Sequence, residues 1–159
     1  MNNLEIETLA QVIHLNARKE GPNENKVPAL DVKMRGEIPI RTAALLMGVE
    51  DHHSLQSALW DQTHEDVPRR FIMLDEIKLA GEVWGVLVEM MGMRIPNTKI
   101  KKFSLFPMDG MTIELCWQTS VTEPPSKLLP VLAEYLGEDI KVRLFKEQQE
   151  LDLGQGEAA

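Results

Sequence analysis

Apolar residues recur at every second position in several short segments of this chain. Between residues 26 and 35, Leu30, Val32 and Met34 share one parity, and charged side chains take the positions between them. Because successive side chains of a strand point to opposite faces, this spacing predicts a half-buried strand. The same alternation occurs at Ile113, Leu115 and Trp117, and again at Ile140, Val142 and Leu144.

Seven segments have this strand character, and short turns separate most of them. The predicted strands are residues 9–18, 26–35, 71–79, 83–90, 99–106, 111–119 and 139–145. Two buried faces are predicted beyond those named above: Leu9, Ile13 and Leu15 in the first strand, and Trp84, Val86, Val88 and Met90 in the fourth. Asp109-Gly110 is typical of a tight hairpin, because both residues tolerate positive φ.

Three short segments favour helices. Residues 40–47 are predicted to form a helix that ends at Gly48, and Asp51 can cap a second helix containing Leu55, Leu59 and Trp60. A third helix is predicted over 124–136, with leucines spaced by four residues and Gly137 at its end. The polar segment 62–70 is predicted to be a loop.

These elements predict a mainly β (α+β) domain with about seven strands and two or three short helices. An antiparallel sandwich and a partly open barrel both fit the hairpin-length connections. The 159 residues suit one domain, which we place at residues 1–146. Residues 147–159 contain four acids and no base, and are predicted to form an acidic disordered tail.

Charge and targeting features limit the functional classes. The chain has 17 Lys and Arg against 25 Asp and Glu, a net charge of −8, which argues against a strongly basic duplex-binding domain. Residues 1–7 lack the basic region of a signal peptide. The apolar stretch 83–93 is too short to span a bilayer, and the single cysteine permits no internal disulfide. We therefore expect a cytoplasmic protein without membrane contact.

No residue pattern predicts catalysis. His52-His53 and His64-Glu65-Asp66 are the only group of metal-type ligands, but the adjacent histidines would point to different helix faces. The sequence has no nucleophile elbow and no Gly-rich phosphate loop, and no obvious histidine base accompanies Cys116. We expect no enzyme activity, no cofactor and no metal.

The most suggestive polar feature is a local group of basic residues in this acidic chain. Its predicted nucleic-acid-binding members are Arg18, Lys33, Arg35, Lys101 and Lys102. If the first hairpin and the strand at 99–106 are neighbours, these residues could line one groove, as in single-strand binders. Outward-facing charges that merely solvate a sheet, or that protect its edges from aggregation, are the alternative interpretation.

An acidic surface supports a different kind of partner. Residues 111–159 contain nine acids and four bases, so this third of the chain could steer a basic protein partner or could simply aid solubility. Exposed strand edges would also allow a homodimer.

Four stretches together resemble a family of small, largely uncharacterised proteins from tailed phages and prophages. They are LNARKE…KVPALDVK from Leu15, HSLQSALW from His53, IKKFSLFPMDGMTIEL from Ile100 and LAEYLGEDIKVRL from Leu132. Members of that family often lie beside genes for recombination or single-strand DNA handling. The resemblance implies a non-enzymatic phage accessory protein of DNA recombination or replication in the host cytoplasm.

Two partners fit that setting. The first is single-stranded nucleic acid or a DNA-processing protein of phage or host. The alternative is a host restriction or CRISPR-type complex, which the protein would inhibit through its acidic surfaces.

Overall fold

A computed structural model describes residues 4–61, 67–69 and 76–146 of this chain, and the fold is mainly β. Six strands and three helices account for most of these residues. The long strands are β1 (Glu5–Glu20), β2 (Val27–Ile38), β6 (Glu82–Met90), β7 (Met93–Met108), β8 (Thr112–Thr122) and β9 (Asp139–Lys146). The two-residue strands are β3 (Trp60–Asp61), β4 (Val67–Pro68) and β5 (Ile77–Lys78), and the helices are α1 (Ile40–Met47), α2 (His52–Leu59) and α3 (Leu128–Glu134).

The six long strands and β5 form one antiparallel, ring-like sheet of seven strands. Its order is β5-β7-β6-β9-β1-β2-β8, and a further pairing of β7 with β8 closes the ring. β7 makes this possible because its first part pairs with β6 and its second part pairs with β8. The sequence predicted the antiparallel β class and about seven strands, and both are confirmed.

The interior of the ring is filled by the alternating apolar residues. Leu30, Val32 and Met34 are buried in β2, and the predicted inward faces of β8 and β9 are buried as well. Each face agrees with the sequence because its alternation runs through the strand without interruption.

Two predicted faces are wrong in part, at Leu9 and at Trp84, and a bulge accounts for each. In β1 the register with β2 shifts between Val12 and His14. Before this bulge Ala10 and Val12 are buried, and after it Leu15 packs against the core. Leu9 has the opposite parity to Ala10 and is 65% exposed. An extra residue in a strand reverses which parity faces the core.

The second bulge lies in β6, where the register shifts between Val83 and Val86. Val83, Val86, Val88 and Met90 are buried, but Trp84 is 63% exposed instead of facing the core. Gly85, at the shift, has a φ of +64°, which a glycine adopts without steric cost.

The helices follow the sequence prediction in two of three cases. α1 has the predicted bounds and ends at Gly48 in the left-handed conformation. Asp51 caps α2, since its side chain accepts a hydrogen bond of 3.0 Å from the backbone N–H of His53. The helix ends at Leu59, so Trp60, which was predicted to belong to it, is extended and begins β3 instead. α3 is shorter than predicted at both ends, and Leu136 lies beyond it with 52% exposure.

The remaining predicted bounds differ by a few residues or lie outside the described residues. β1 and β7 extend beyond the predicted strands at both ends. Within the predicted loop 62–70, Val67 and Pro68 pair with β3 instead of forming a loop. Residues 62–66 and 70 of that loop lie outside the described residues. The same holds for residues 71–75 of the predicted third strand and for the predicted tail 147–159. No helix in the described part of the chain is long and apolar enough to cross a membrane.

Candidate nucleic-acid interface

The outward faces of β2, β8 and β7 bring two of the predicted basic residues into one row. Lys33 of β2 lies opposite Gln118 of β8, and Gln118 lies opposite Lys101 of β7. His14 of β1 continues the row beyond Lys33. We call Lys101, Gln118, Lys33 and His14 the basic row.

Lys102 extends this surface because β7 is irregular at that point. Lys102 has a φ of +56°, and the register with β8 shifts between Lys101 and Ser104. Lys102 is exposed, Lys101 is half-buried, and the next residue, Phe103, is buried in the core. Two consecutive lysines therefore both reach solvent, which an undistorted strand would not allow.

A groove of about 550 Å³ runs beside the basic row. Lys33, Lys78 and Lys102 contribute its ammonium groups, and Phe106 contributes an apolar wall. Glu76 is its one acidic lining residue among the described residues, and its Oε1 lies 3.3 Å from Nζ of Lys78. The described lining residues of the groove therefore carry a positive net charge, although the whole chain is acidic.

The three lysines of the predicted site differ from the two arginines in their partners. Lys33, Lys101 and Lys102 form no ion pair with a carboxylate within residues 4–61, 67–69 and 76–146. Unpaired ammonium groups can bind an anion without first breaking an internal contact.

Arg18 is held inside the protein's own polar network. Its Nε donates to Asp31 at 2.8 Å, and its Nη1 lies 2.6 Å from Glu20. Ser120 donates a further bond of 2.7 Å to Asp31, and Thr122 donates to Glu20. The hydrogen bonds to Asp31 and Glu20 raise the pKa of Arg18, so its charge is permanent and already compensated.

Asp31 is the buried centre of that network. Burial alone would raise the pKa of Asp31, but hydrogen bonds from Arg18 and Ser120 outweigh it, and the pKa lies below its ordinary value. Hydrogen bonds from Thr122 and Arg18 also lower the pKa of Glu20. The network therefore ties β1, β2 and β8 together while its carboxylates are ionised.

Arg35 lies two residues after Lys33 on the same face of β2, and its side chain also has partners within the protein. Its Nε donates to Oε1 of Gln11 at 2.9 Å and lies 3.8 Å from Oε1 of Glu114. Its side chain is still 47% exposed, and Cys116 lies opposite it on β8. Arg35 can thus add charge at the border of the groove, but less freely than the lysines.

Cys116 points away from the core, as the alternation predicted, and contacts the same groove. Burial, together with the nearby charge of Glu114, raises the pKa of its thiol. A raised pKa disfavours the nucleophilic thiolate.

No three His, Cys, Asp or Glu side chains among the described residues are arranged to hold a metal ion. The rings of His52 and His53 are tilted by 36° with centroids 4.1 Å apart, so the prediction that the two side chains point to different faces of the helix is wrong. Their predicted partners His64, Glu65 and Asp66 lie outside the described residues.

An aromatic residue that the sequence predicted to be buried lies beside this surface. Trp84 is exposed on the outer side of β6, and Nζ of Lys99 lies 4.6 Å from the centroid of its ring. Gly85 within a strand pattern was the available signal, because an isolated strand glycine often marks a bulge.

The chain was compared with protein-family models, with curated proteins and with solved structures, and none matches it. The resemblance to the phage family therefore stays a prediction.

Proposed function

We propose that this protein is a non-catalytic binder of single-stranded nucleic acid, and that the outer face of β2, β8 and β7 is the binding surface. The observation that carries the proposal is the placement of Lys33 and Lys101 on either side of Gln118, with Lys102 beside them. The three ammonium groups have no carboxylate partner among the described residues, and the phosphates of a nucleic-acid strand would provide anionic partners for them.

The surrounding residues suit a sequence-tolerant contact. Gln118 offers an amide that can donate to phosphate or base, and the groove provides room next to the lysines. Arg35 borders this surface, whereas Arg18 serves the internal network described above. The net charge of −8 opposes long-range attraction, so the interaction is expected to be weak and strongly dependent on salt.

The biological setting of the proposal comes from the family resemblance. By that resemblance, the protein would act in recombination or replication of a tailed phage or prophage, in the host cytoplasm. The alternative of an anti-defence inhibitor depends in large part on the acidic tail 147–159, which the structure does not describe.

Binding can be measured by fluorescence anisotropy of a labelled single-stranded oligonucleotide at low salt. For three phosphate contacts, the slope of log affinity against log salt is expected to be about −2, so a fourfold rise in salt weakens binding roughly 20-fold. Reversal of Lys33 and Lys101 to Glu should abolish the binding. No detectable binding by the wild type at low salt would remove the proposal.

The matched control reverses two lysines elsewhere on the surface, Lys127 and Lys141. Lys127 precedes α3, and Lys141 lies on β9, away from β8 in the ring. Both double variants change the net charge by the same amount. If both lose binding equally, net charge and not the basic row governs the interaction.

A further inference from the structure

Trp84 is placed on the surface by the backbone of its own strand. Its neighbours Val83 and Val86 are 3% and 0% exposed, and the bulge at Gly85 turns the indole to the outside. The other two tryptophans, Trp60 and Trp117, are 0% and 1% exposed. Other large apolar side chains are exposed as well, but Trp84 is the one tryptophan of the three whose ring is open to solvent, and an indole has a broad aromatic face for a ligand to contact.

The indole adjoins the basic row. Glu82, two residues before Trp84, lies opposite Lys101 in the register of β6 and β7. Nζ of Lys99 lies 4.6 Å from the ring centroid and 3.8 Å from Oε2 of Glu82. An aromatic face, a cation held against it and the first lysine of the basic row therefore lie on the adjacent strands β6 and β7.

We propose that Trp84 is a base-stacking platform, and that it makes the surface selective for unpaired bases. The inference rests on the proposed function and deepens it. Lysines contact phosphates in any nucleic acid, but an indole can stack only on a base whose face is free. In a duplex, neighbouring base pairs cover those faces, so charge alone would remain to bind it.

The tryptophans provide a direct optical test. Since Trp60 and Trp117 are buried, Trp84 should account for the fluorescence that a stacked base quenches. Three ligands of equal length are titrated: oligothymidine, an abasic strand with the same phosphates, and a duplex. We expect oligothymidine to quench the fluorescence and to bind roughly 5- to 150-fold more tightly than the abasic strand, which is the range of base stacking on aromatic side chains.

Variants assign the effect to the ring. Trp84→Ala should reduce the affinity for oligothymidine to that for the abasic strand, whereas Trp84→Phe should retain most of the preference. Leu9→Ala is the matched control, because Leu9 is as exposed as Trp84 but lies on β1. Circular dichroism verifies that each variant is folded.

Three results would overturn the inference. If oligothymidine and the abasic strand bind equally and Trp84→Ala changes neither affinity, stacking is wrong while the proposed function stands. If no ligand binds, the proposed function fails and the inference fails with it. If sedimentation shows a dimer that Trp84→Ala dissociates, and oligothymidine has no preference over the abasic strand, the indole belongs to a protein interface.

Discussion

Replacing Arg18 with Gln tests whether this predicted ligand contact is instead a structural residue. The change removes two hydrogen bonds to Asp31, of 2.8 and 3.2 Å, and one to Glu20. Asp31 is 8% exposed, and in the variant Ser120 would be the side-chain hydrogen-bond donor that remains to it among the described residues. Hydrogen bonds to charged groups contribute about 1.5–3 kcal/mol each, but the Arg18 side chain is 28% exposed and solvent screens part of this energy.

We therefore expect Arg18→Gln to lower the free energy of unfolding by about 2 kcal/mol. For a chain of this length that corresponds to a fall in Tm of roughly 4–8 °C. Urea denaturation measures the free energy, and Arg94→Gln is the control. Nε of Arg94 lies 3.4 Å from Glu89, but its side chain is 64% exposed, so its loss should be below about 1 kcal/mol.

The pH dependence gives an independent check. The pKa of Asp31 is lower in the folded than in the unfolded protein, so its ion pair stabilises the fold above the unfolded pKa of about 3.9. This contribution is lost as the pH falls through the folded-state pKa. The difference between the unfolding free energies of the wild type and Arg18→Gln should therefore stay constant above about pH 5 and narrow as the pH falls below about 4.

Two results would refute this reasoning. One is a loss for Arg18→Gln no larger than that for Arg94→Gln. The other is a double-mutant cycle with Asp31→Asn in which the two changes are additive, because contacting residues should show a coupling of at least about 0.5 kcal/mol. Binding of oligonucleotide by the folded Arg18→Gln variant should stay close to that of the wild type.

Two further predictions concern the bulges. Gly85→Ala should lower the free energy of unfolding by about 1 kcal/mol, because the φ of +64° disfavours an L side chain. Steric overlap adds nothing, since no atom lies within 4 Å of the added Cβ. An unchanged free energy of unfolding in urea would contradict this prediction. Leu115→Ala, at 0% exposure, should cost about 2–5 kcal/mol, whereas Leu9→Ala should cost less than about 0.5 kcal/mol, and equal losses would contradict the outward placement of Leu9.

The sequence predicts most of the secondary structure because local rules decide it. Unbroken alternation identifies the buried faces of β2, β8 and β9. The hairpin lies where Asp109-Gly110 predicted it, but three residues connect β7 to β8 and the positive φ values occur at Gly110 and Met111 instead of Asp109. The cap at Asp51 depends on neighbouring residues only.

Features that depend on pairing between distant strands were not predictable. A bulge shifts the parity of Leu9 relative to the core, and nothing near Ile13 in the sequence marks its position. Closure of the ring by β7 and β8 requires β7 to pair on both sides, which depends on the three-dimensional path of the sheet.

The same limit applies to the candidate site. Parity alone indicated that Lys33 and Arg35 share a face, and the structure places both outward. That Lys101 lies two strands away from Lys33, and that Asp31 and Glu20 engage Arg18, follow from register and side-chain packing. Spacing along the chain does not carry such information.

The position of β9 between β1 and β6 has a consequence for how the protein is made. The partners of Glu5 and Ile6 are Phe145 and Leu144, so a strand near the start of the chain awaits one synthesised more than a hundred residues later. Until β9 leaves the ribosome, β1 and β6 each present an unsatisfied backbone edge. Folding is therefore expected to finish only after this strand is released, and the unpaired edges are exposed to aggregation until then.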